Sequence, residues 1–113
     1  MKYYEVKSYG KTYNVRIVAS KYANNKTLAL SLITEKGEPF ANLTVNIKDS
    51  MIWADETTAF VDTNNCPWAE EFIAENKLGK YMGIRGASGF CTYPLYKFNL
   101  KKLKKVLDIL HIT

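Results

Sequence analysis

Cysteine and histidine are scarce in this chain: 113 residues hold two cysteines and one histidine. Two cysteines are too few for a disulfide framework. Cys66 and Cys91 are therefore expected as reduced thiols of a cytosolic protein, although nothing in their spacing fixes whether they could pair. With His111 they offer three metal-ligating side chains but no CxxC or HxxxH spacing, which argues against a structural zinc site. The expectation is no metal and no cofactor. Long apolar runs are missing as well, and none approaches the roughly 20 residues of a membrane span. Met1-Lys2-Tyr3-Tyr4-Glu5-Val6 leads into an alternating pattern with no apolar signal region, so a cytoplasmic protein away from membranes is expected. Repeats, linkers and low-complexity segments are absent too.

What is present is enough apolar material for one core. A chain of this length reads as a single domain that buries about 65% of its unfolded surface, and 47% of its residues are hydrophobic. Within that domain, 1–48 reads as a meander, 58–98 as a specialised block with one helix, and 99–113 as an amphipathic helix. Charge is uneven along it. Residues 1–48 hold 8 basic and 3 acidic groups, 49–79 hold 1 and 7, and 80–113 hold 7 and 1. An acidic block between basic flanks makes a two-signed surface suited to steering a partner, and a merely solvated surface explains it equally.

The first half reads as antiparallel strands. Tyr4 and Val6, then Tyr13, Val15 and Ile17, then Leu28, Leu30 and Leu32 alternate with polar or small residues. Ser8-Tyr9-Gly10-Lys11, Asn24-Asn25-Lys26 and Glu35-Lys36-Gly37-Glu38 supply turns between them. A fourth strand is expected with Leu43, Val45 and Ile47 inward and Thr44, Asn46 and Lys48 outward. The bulky Met51, Ile52 and Trp53 break the pattern, as a loop that tucks Trp53 onto the core or holds it out as a contact point.

Thr58 to Asp62 reads as a fifth strand. A helix follows from about Pro67 to Leu78, with Trp68, Phe72 and Ile73 buried, Glu70, Glu71 and Glu75 wet, and Gly79 as its stop. Gly83, Gly86 and Gly89 make Lys80 to Gly89 an irregular connector. Phe90 to Phe98 resumes as an aromatic strand, placed at an edge or a bend by Pro94. Asn99 caps a last helix with Leu100, Leu103, Val106, Leu107 and Leu110 on one side and Lys101, Lys102, Lys104 and Lys105 on the other. The fold class expected is α+β, an antiparallel sheet of five or six strands with two helices packed on it.

Four features bear on chemistry. Cys66, just ahead of a helix, has a reason to be acidic, but it lacks a base nearby in sequence, and a carboxylate such as Asp62 beside it would raise its pKa. A small buried residue is the plainer reading of this thiol. The adjacent pairs Asp55-Glu56 and Glu70-Glu71 fit a solvated face better than acid–base work, since neighbours on a helix do not face each other. The glycine run with Lys80 and Arg85 offers backbone N–H groups to an anion, yet matches no nucleotide motif. Eight tyrosines and five phenylalanines, with the lysine face of the last helix, offer stacking and phosphate contacts to nucleic acid.

The blocks AFVDTNNCPWAEEFIAENKLGK (59–80) and SGFCTYPLYKFNL (88–100) resemble a family of short proteins of unknown function carried on bacterial conjugative elements, plasmids and prophages. The resemblance covers the C-terminal half and brings no catalytic residues with it. It implies a setting in which small proteins act by binding, among them inhibitors of host defence nucleases. Asp62, Asn64, Asn65, Cys66, Trp68, Gly89, Phe90 and Tyr93 are taken as its structural motif, in two blocks expected to meet in space. The binding candidates are Glu70, Glu71, Glu75, Lys80, Arg85, Lys101, Lys102, Lys104 and Lys105. The leading expectation is a non-enzymatic binding protein, an anti-CRISPR-like or anti-restriction inhibitor acting on a host protein or protein–nucleic-acid complex. An accessory DNA- or RNA-binding protein is the alternative, and a thiol enzyme using Cys66 the second alternative.

Overall fold

A computed structural model describes residues 3–22, 28–47 and 57–107, the last four without their side chains. Strands β1 (Tyr4–Ser8), β2 (Lys11–Lys21), β3 (Leu28–Thr34) and β4 (Pro39–Asn42) form an antiparallel sheet in chain order. The expected alternation holds: Tyr4, Val6, Val15, Ile17, Leu28, Leu30 and Leu32 are all buried. Tyr9 and Gly10, at φ +52° and +77°, close the first hairpin, the left-handed pair that a two-residue turn requires. Gly37, at φ +81°, sits in the turn before β4. There its N–H donates to the Thr34 carbonyl at 2.9 Å, and the Thr34 N–H donates to Glu38 O at 2.9 Å. The turn expected at Asn24-Asn25-Lys26 and the Met51–Trp53 segment lie outside the described residues.

The single sheet of five or six strands is not what forms. Strands β5 (Thr44–Val45), β6 (Thr58–Val61), β7 (Gly79–Ser88) and β8 (Cys91–Phe98) build a second four-stranded sheet in the order β5-β6-β8-β7. The expected fourth strand is split at the crossing point. Residues 39–42 pair with β3, and Thr44 and Val45 pair with Val61 and Phe60 of β6. Leu43 is the joint, with its N–H on Leu30 O and its carbonyl taking the Asp62 N–H, both at 2.9 Å. A strand that leaves one sheet for another rotates its faces, so Thr44 is buried rather than outward. Its hydroxyl accepts the Leu30 N–H at 3.1 Å and shares a hydrogen bond of 2.9 Å with Tyr22.

Three further expectations give way in the second half. Helix α1 spans Ala69–Glu75, shorter than Pro67–Leu78. It stops at Lys77, not Gly79: Lys77 has φ +53°, its N–H donates to Ala74 O at 3.2 Å, and the Leu78 N–H reaches Ile73 O at 3.0 Å. That pair of bonds is the Schellman ending, and buried Leu78 and Ile73 complete it. The glycine-rich stretch is strand β7 rather than an irregular connector. Gly83, at φ +78°, lies in the register shift between Tyr81 and Arg85, so the glycines shape a bulge within pairing. Pro94 lies on an inner strand, not an edge. It sits opposite Arg85 beside the bulge and one position past Leu95, the last β8 residue paired with β6, where a missing N–H is tolerated.

Asn99 caps helix α2 (Leu100–Leu107) as expected, its Oδ1 accepting the Lys102 N–H at 3.2 Å. The main core draws on both sheets and both helices, through residues such as Ile17, Leu30, Val61, Ile73, Phe98 and Leu103. A smaller cluster of Ile47, Phe60 and Leu95, with Val45, Ile84 and Tyr93 against it, lies on the second sheet alone. Leu103 follows the predicted apolar stripe, while Leu100 is exposed.

Candidate functional site

The pairing that forms lies just ahead of the expected Asp62–Trp68 block, against the end of the Gly89–Tyr96 block. Strand β6 pairs with β8, setting Phe60 opposite Leu95 and Ala59 opposite Tyr96. Asp62, 5% exposed, follows β6 and organises the turn beyond it. Its carboxylate accepts the Asn65 N–H at 3.1 Å and the Asn65 Nδ2 at 2.9 Å, and its carbonyl accepts the Cys66 N–H at 2.9 Å. These are the local side-chain-to-backbone bonds that Asp and Asn favour in turns. Asn64 is exposed at the turn's crown. Tyr93, half-buried, is raised above the ordinary phenol range by partial burial, by a hydrogen bond with Cys91, and by the Asp62 charge.

Cys66 is a packing residue in this turn. It is 2% exposed, and its Sγ points at the Asn42 carbonyl, 3.6 Å away. Burial first and the Asp62 carboxylate second push its pKa from 9.0 up to about 11. This agrees with the plainer reading of a small buried residue: desolvation disfavours the thiolate more than a seven-residue helix favours it. Both cysteines are free, Cys91 half-buried in β8. Among the described residues no three His, Cys, Asp or Glu side chains gather as metal ligands.

Helix α1 carries the acidic candidates. Glu70, Glu71 and Glu75 are exposed, but they are not equivalent. Glu70 accepts the Tyr96 hydroxyl at 2.8 Å, and burial followed by this bond drives the Tyr96 phenol well above its ordinary range. Glu71 and Glu75 instead join Glu5, Lys7, Trp68 and Phe72 around a cleft of about 100 Å³ between β1 and α1. Trp68 is anchored there by Phe72 at 5.8 Å and 87°, and by Phe40 at 5.8 Å, which in turn meets Tyr13 at 4.9 Å. Sequence reading missed Tyr13 and Phe40 as partners of Trp68, since no local pattern links residues so far apart in the chain.

The basic candidates follow α1 in sequence and are spread over β7, β8 and α2, with Lys80 and Lys97 on one face of the β7–β8 ladder and Arg85 on the other. Lys80 and Lys97 are both exposed and directly opposite each other on β7 and β8. The Arg85 Nε donates to Thr92 Oγ1 at 3.3 Å. On α2, Lys101 is exposed, whereas Lys102 is half-buried with its Nζ donating to the Asn76 carbonyl. Lys102 thus closes the C-terminal end of α1, where a cation is favoured. The side chains of Lys104 and Lys105 lie outside the described residues. Phe90, taken as part of the structural motif, is fully exposed at 109% in the β7–β8 turn, beside Gly89 at φ +62°. A residue on a two-residue turn projects beyond both strands and has no sheet face to cover. Tyr81 and Met82 are also more than two-fifths exposed on β7.

A family model for a domain of unknown function, DUF4313, matches residues 16–110. The chain belongs to the DUF4313 family. No curated protein and no solved structure matches it. The DUF4313 match takes in all of β7, β8 and α2, and it leaves out Glu5 and Lys7 of the cleft. Among the described residues no helix is long and apolar enough to cross a membrane.

Proposed function

We propose that this DUF4313 protein is a non-enzymatic binding protein that engages a host protein or protein–nucleic-acid complex through its charged surface. The observation that carries this is the segregation of charge between neighbouring elements. Helix α1 has three exposed acids and no base, whereas residues 76–107 hold eight Lys or Arg and no Asp or Glu. Segregated charge steers encounter and fixes orientation more than it adds affinity. The finer reading, an anti-defence inhibitor of the anti-CRISPR or anti-restriction kind acting in the cytoplasm, draws on the resemblance of the 59–80 and 88–100 blocks to proteins of mobile elements.

The geometry refines the test of this reading. Glu70 is left intact because it holds Tyr96, and Glu71→Lys is combined with Glu75→Lys. Tagged protein is used to capture partners from bacterial lysate, with and without nuclease. The double variant is expected to lose a nuclease-resistant protein partner at least tenfold while keeping its melting temperature; undiminished capture removes α1 as the contact. Burial of Cys66 works against the thiol-enzyme alternative. The nucleic-acid alternative is favoured by the acid-free run.

A further inference from the structure

We propose that the outer edge of β1 and the cleft beside α1 take up an extended basic segment of a protein partner. The segment adds to the first sheet as a further strand and lays lysine or arginine side chains against Trp68, Glu71 and Glu75. The inference rests on the reading of α1 as a contact surface and names the kind of partner segment that surface takes. Three observations carry it.

The first is the state of the sheet edges. The described strands leave four edges, at β1, β4, β5 and β7. Edge strands are ordinarily blunted by proline, bulges or shortness. Strand β4 begins at Pro39 and meets a register shift at Leu32/Ile33, β5 is two residues long, and β7 is interrupted by the shift around Gly83. Strand β1 has none of these: its five residues pair with β2 in unbroken register and include no proline or glycine. Its safeguard is the charge of Glu5 and Lys7 alone. The two-residue turn makes Ser8 and Lys11 a hydrogen-bonded pair, and such pairs alternate along an antiparallel ladder. Tyr4, Val6 and Ser8 therefore bond to β2, whereas Glu5 and Lys7 turn their N–H and C=O groups outward. Among the described residues no strand takes them.

The second is the cleft that this edge borders. It opens between residues 5–7 of β1 and the side of α1 where Trp68, Glu71 and Glu75 stand. Helix α1 packs on the sheet face that Tyr4 and Val6 share: the Tyr4 and Phe72 rings meet edge to face at 6.1 Å. The pleat sends the Glu5 and Lys7 side chains to the opposite face, so they offer the cleft their backbone. An added strand would lie about 4.8 Å from β1, with every second side chain pointing toward α1.

The third is what those side chains would meet. Helix α1 brings Glu71 and Glu75 to the cleft and carries no base. Neither carboxylate has a partner among the described residues, unlike Glu70, which holds Tyr96. Four helical residues separate the pair by about 6 Å, and alternate residues of a strand are about 6.8 Å apart. Two basic side chains at i and i+2 of the added strand match that spacing. Half-buried Trp68 adds a ring that attracts a lysine or arginine head and covers its stem. Backbone bonds would supply affinity, and the alternate side chains the choice of segment.

The test is fluorescence anisotropy with a labelled eight-residue peptide of alternating Lys and Thr. Its controls are the Glu-Thr counterpart and the Lys-Thr peptide N-methylated at every Lys or at every Thr. The Lys-Thr peptide is expected to bind and the Glu-Thr peptide is not. One of the two N-methylated forms, which keep the charge but lose alternate N–H donors, should bind at least about tenfold more weakly. Glu71→Gln with Glu75→Gln should weaken the Lys-Thr peptide about tenfold without changing the circular dichroism spectrum. Amide hydrogen exchange followed by NMR should slow at Glu5 and Lys7 when this peptide is bound, and not at Val6, which already bonds to β2. No binding of the Lys-Thr peptide, equal affinity of its three forms, or unchanged exchange at Glu5 and Lys7 would each overturn the proposal. Slow exchange at those two amides in a peptide-free dimer would give the edge to a second copy and overturn it too. If any of these occurs while Glu71→Lys with Glu75→Lys still loses its captured partner, the acidic-helix reading stands and strand addition alone falls.

Discussion

The β1–β4 sheet takes its strands in sequence order, whereas the β5–β8 sheet runs β5-β6-β8-β7 with α1 inserted between β6 and β7. The first sheet places its apolar residues by simple alternation and closes its described turns with left-handed residues. The second relies on a bulge at Gly83, a proline on an inner strand and a glycine packed against an aromatic ring. Irregular backbone of this kind gathers where a sheet must aim side chains outward. The exposed aromatic side chains of β7 and its turn and the opposed lysines are all on the second sheet. The first sheet has its own register shift at Leu32/Ile33 and an exposed Tyr9 in its first turn, so the contrast is one of degree: the second sheet is the more irregular.

The sharpest way to break this contrast is through the core that both sheets share. Leu30→Ala should cost about 2–5 kcal/mol, because Leu30 is 1% exposed within the main cluster. Urea unfolding followed by tryptophan fluorescence and by circular dichroism should shift together. Separate midpoints would mean that the two sheets unfold independently.

Next come changes confined to the second sheet. A Cβ on Gly86 would lie 2.6 Å from Phe60 Cε1 and 3.1 Å from Ile47 Cδ1. Gly86→Ala should therefore destabilise by about 1–3 kcal/mol through overpacking. Ser20→Ala, exposed on β2, should stay within about 0.5 kcal/mol. Equal, small effects at both positions would remove the claim that Gly86 is held by packing. Asp62→Ala should cost about 1–3 kcal/mol by leaving the turn donors unsatisfied, measured by the same denaturant midpoint.

Alkaline pH sharpens the comparison further. The folded pKa of Cys66 is raised from 9.0 to about 11, so its contribution is full below pH 9 and is lost as pH rises through about 11. Wild type should lose more thermal stability than Cys66→Ala between pH 8 and pH 11; parallel losses would deny the thiol a role. The smallest change is a gain. Lys77, at φ +53°, carries a side chain where glycine is preferred, and Lys77→Gly should raise stability by about 0.5–1 kcal/mol. Calorimetry should show a higher melting temperature.

Particular elements show how far the sequence could be read. Leu28, Leu30 and Leu32, the turn at Gly37 and the cap at Asn99 were legible because each rests on contacts within a few residues. Thr44 and Pro94 misled because the neighbours that decide them are distant in the chain: Leu30 and Tyr22 for the threonine, the ends of β6 and the bulged β7 for the proline. Of the candidate site, the charged residues were visible as composition. The opposition of Lys80 and Lys97, the bond from Tyr96 to Glu70 and the exposure of Phe90 were not.

The sequence by itself determined the α+β content, the core faces of the first sheet, the approximate place of both helices and the uneven charge. Those follow from side-chain periodicity and local backbone preference, which act over one turn or one hairpin. The tertiary structure decided that the chain would cross to a second sheet at Leu43, that the glycine run would pair as β7, and which charges would stand together. Such outcomes depend on burial and hydrogen-bond satisfaction between residues far apart in sequence, where a buried polar group must find its partner wherever the fold brings one.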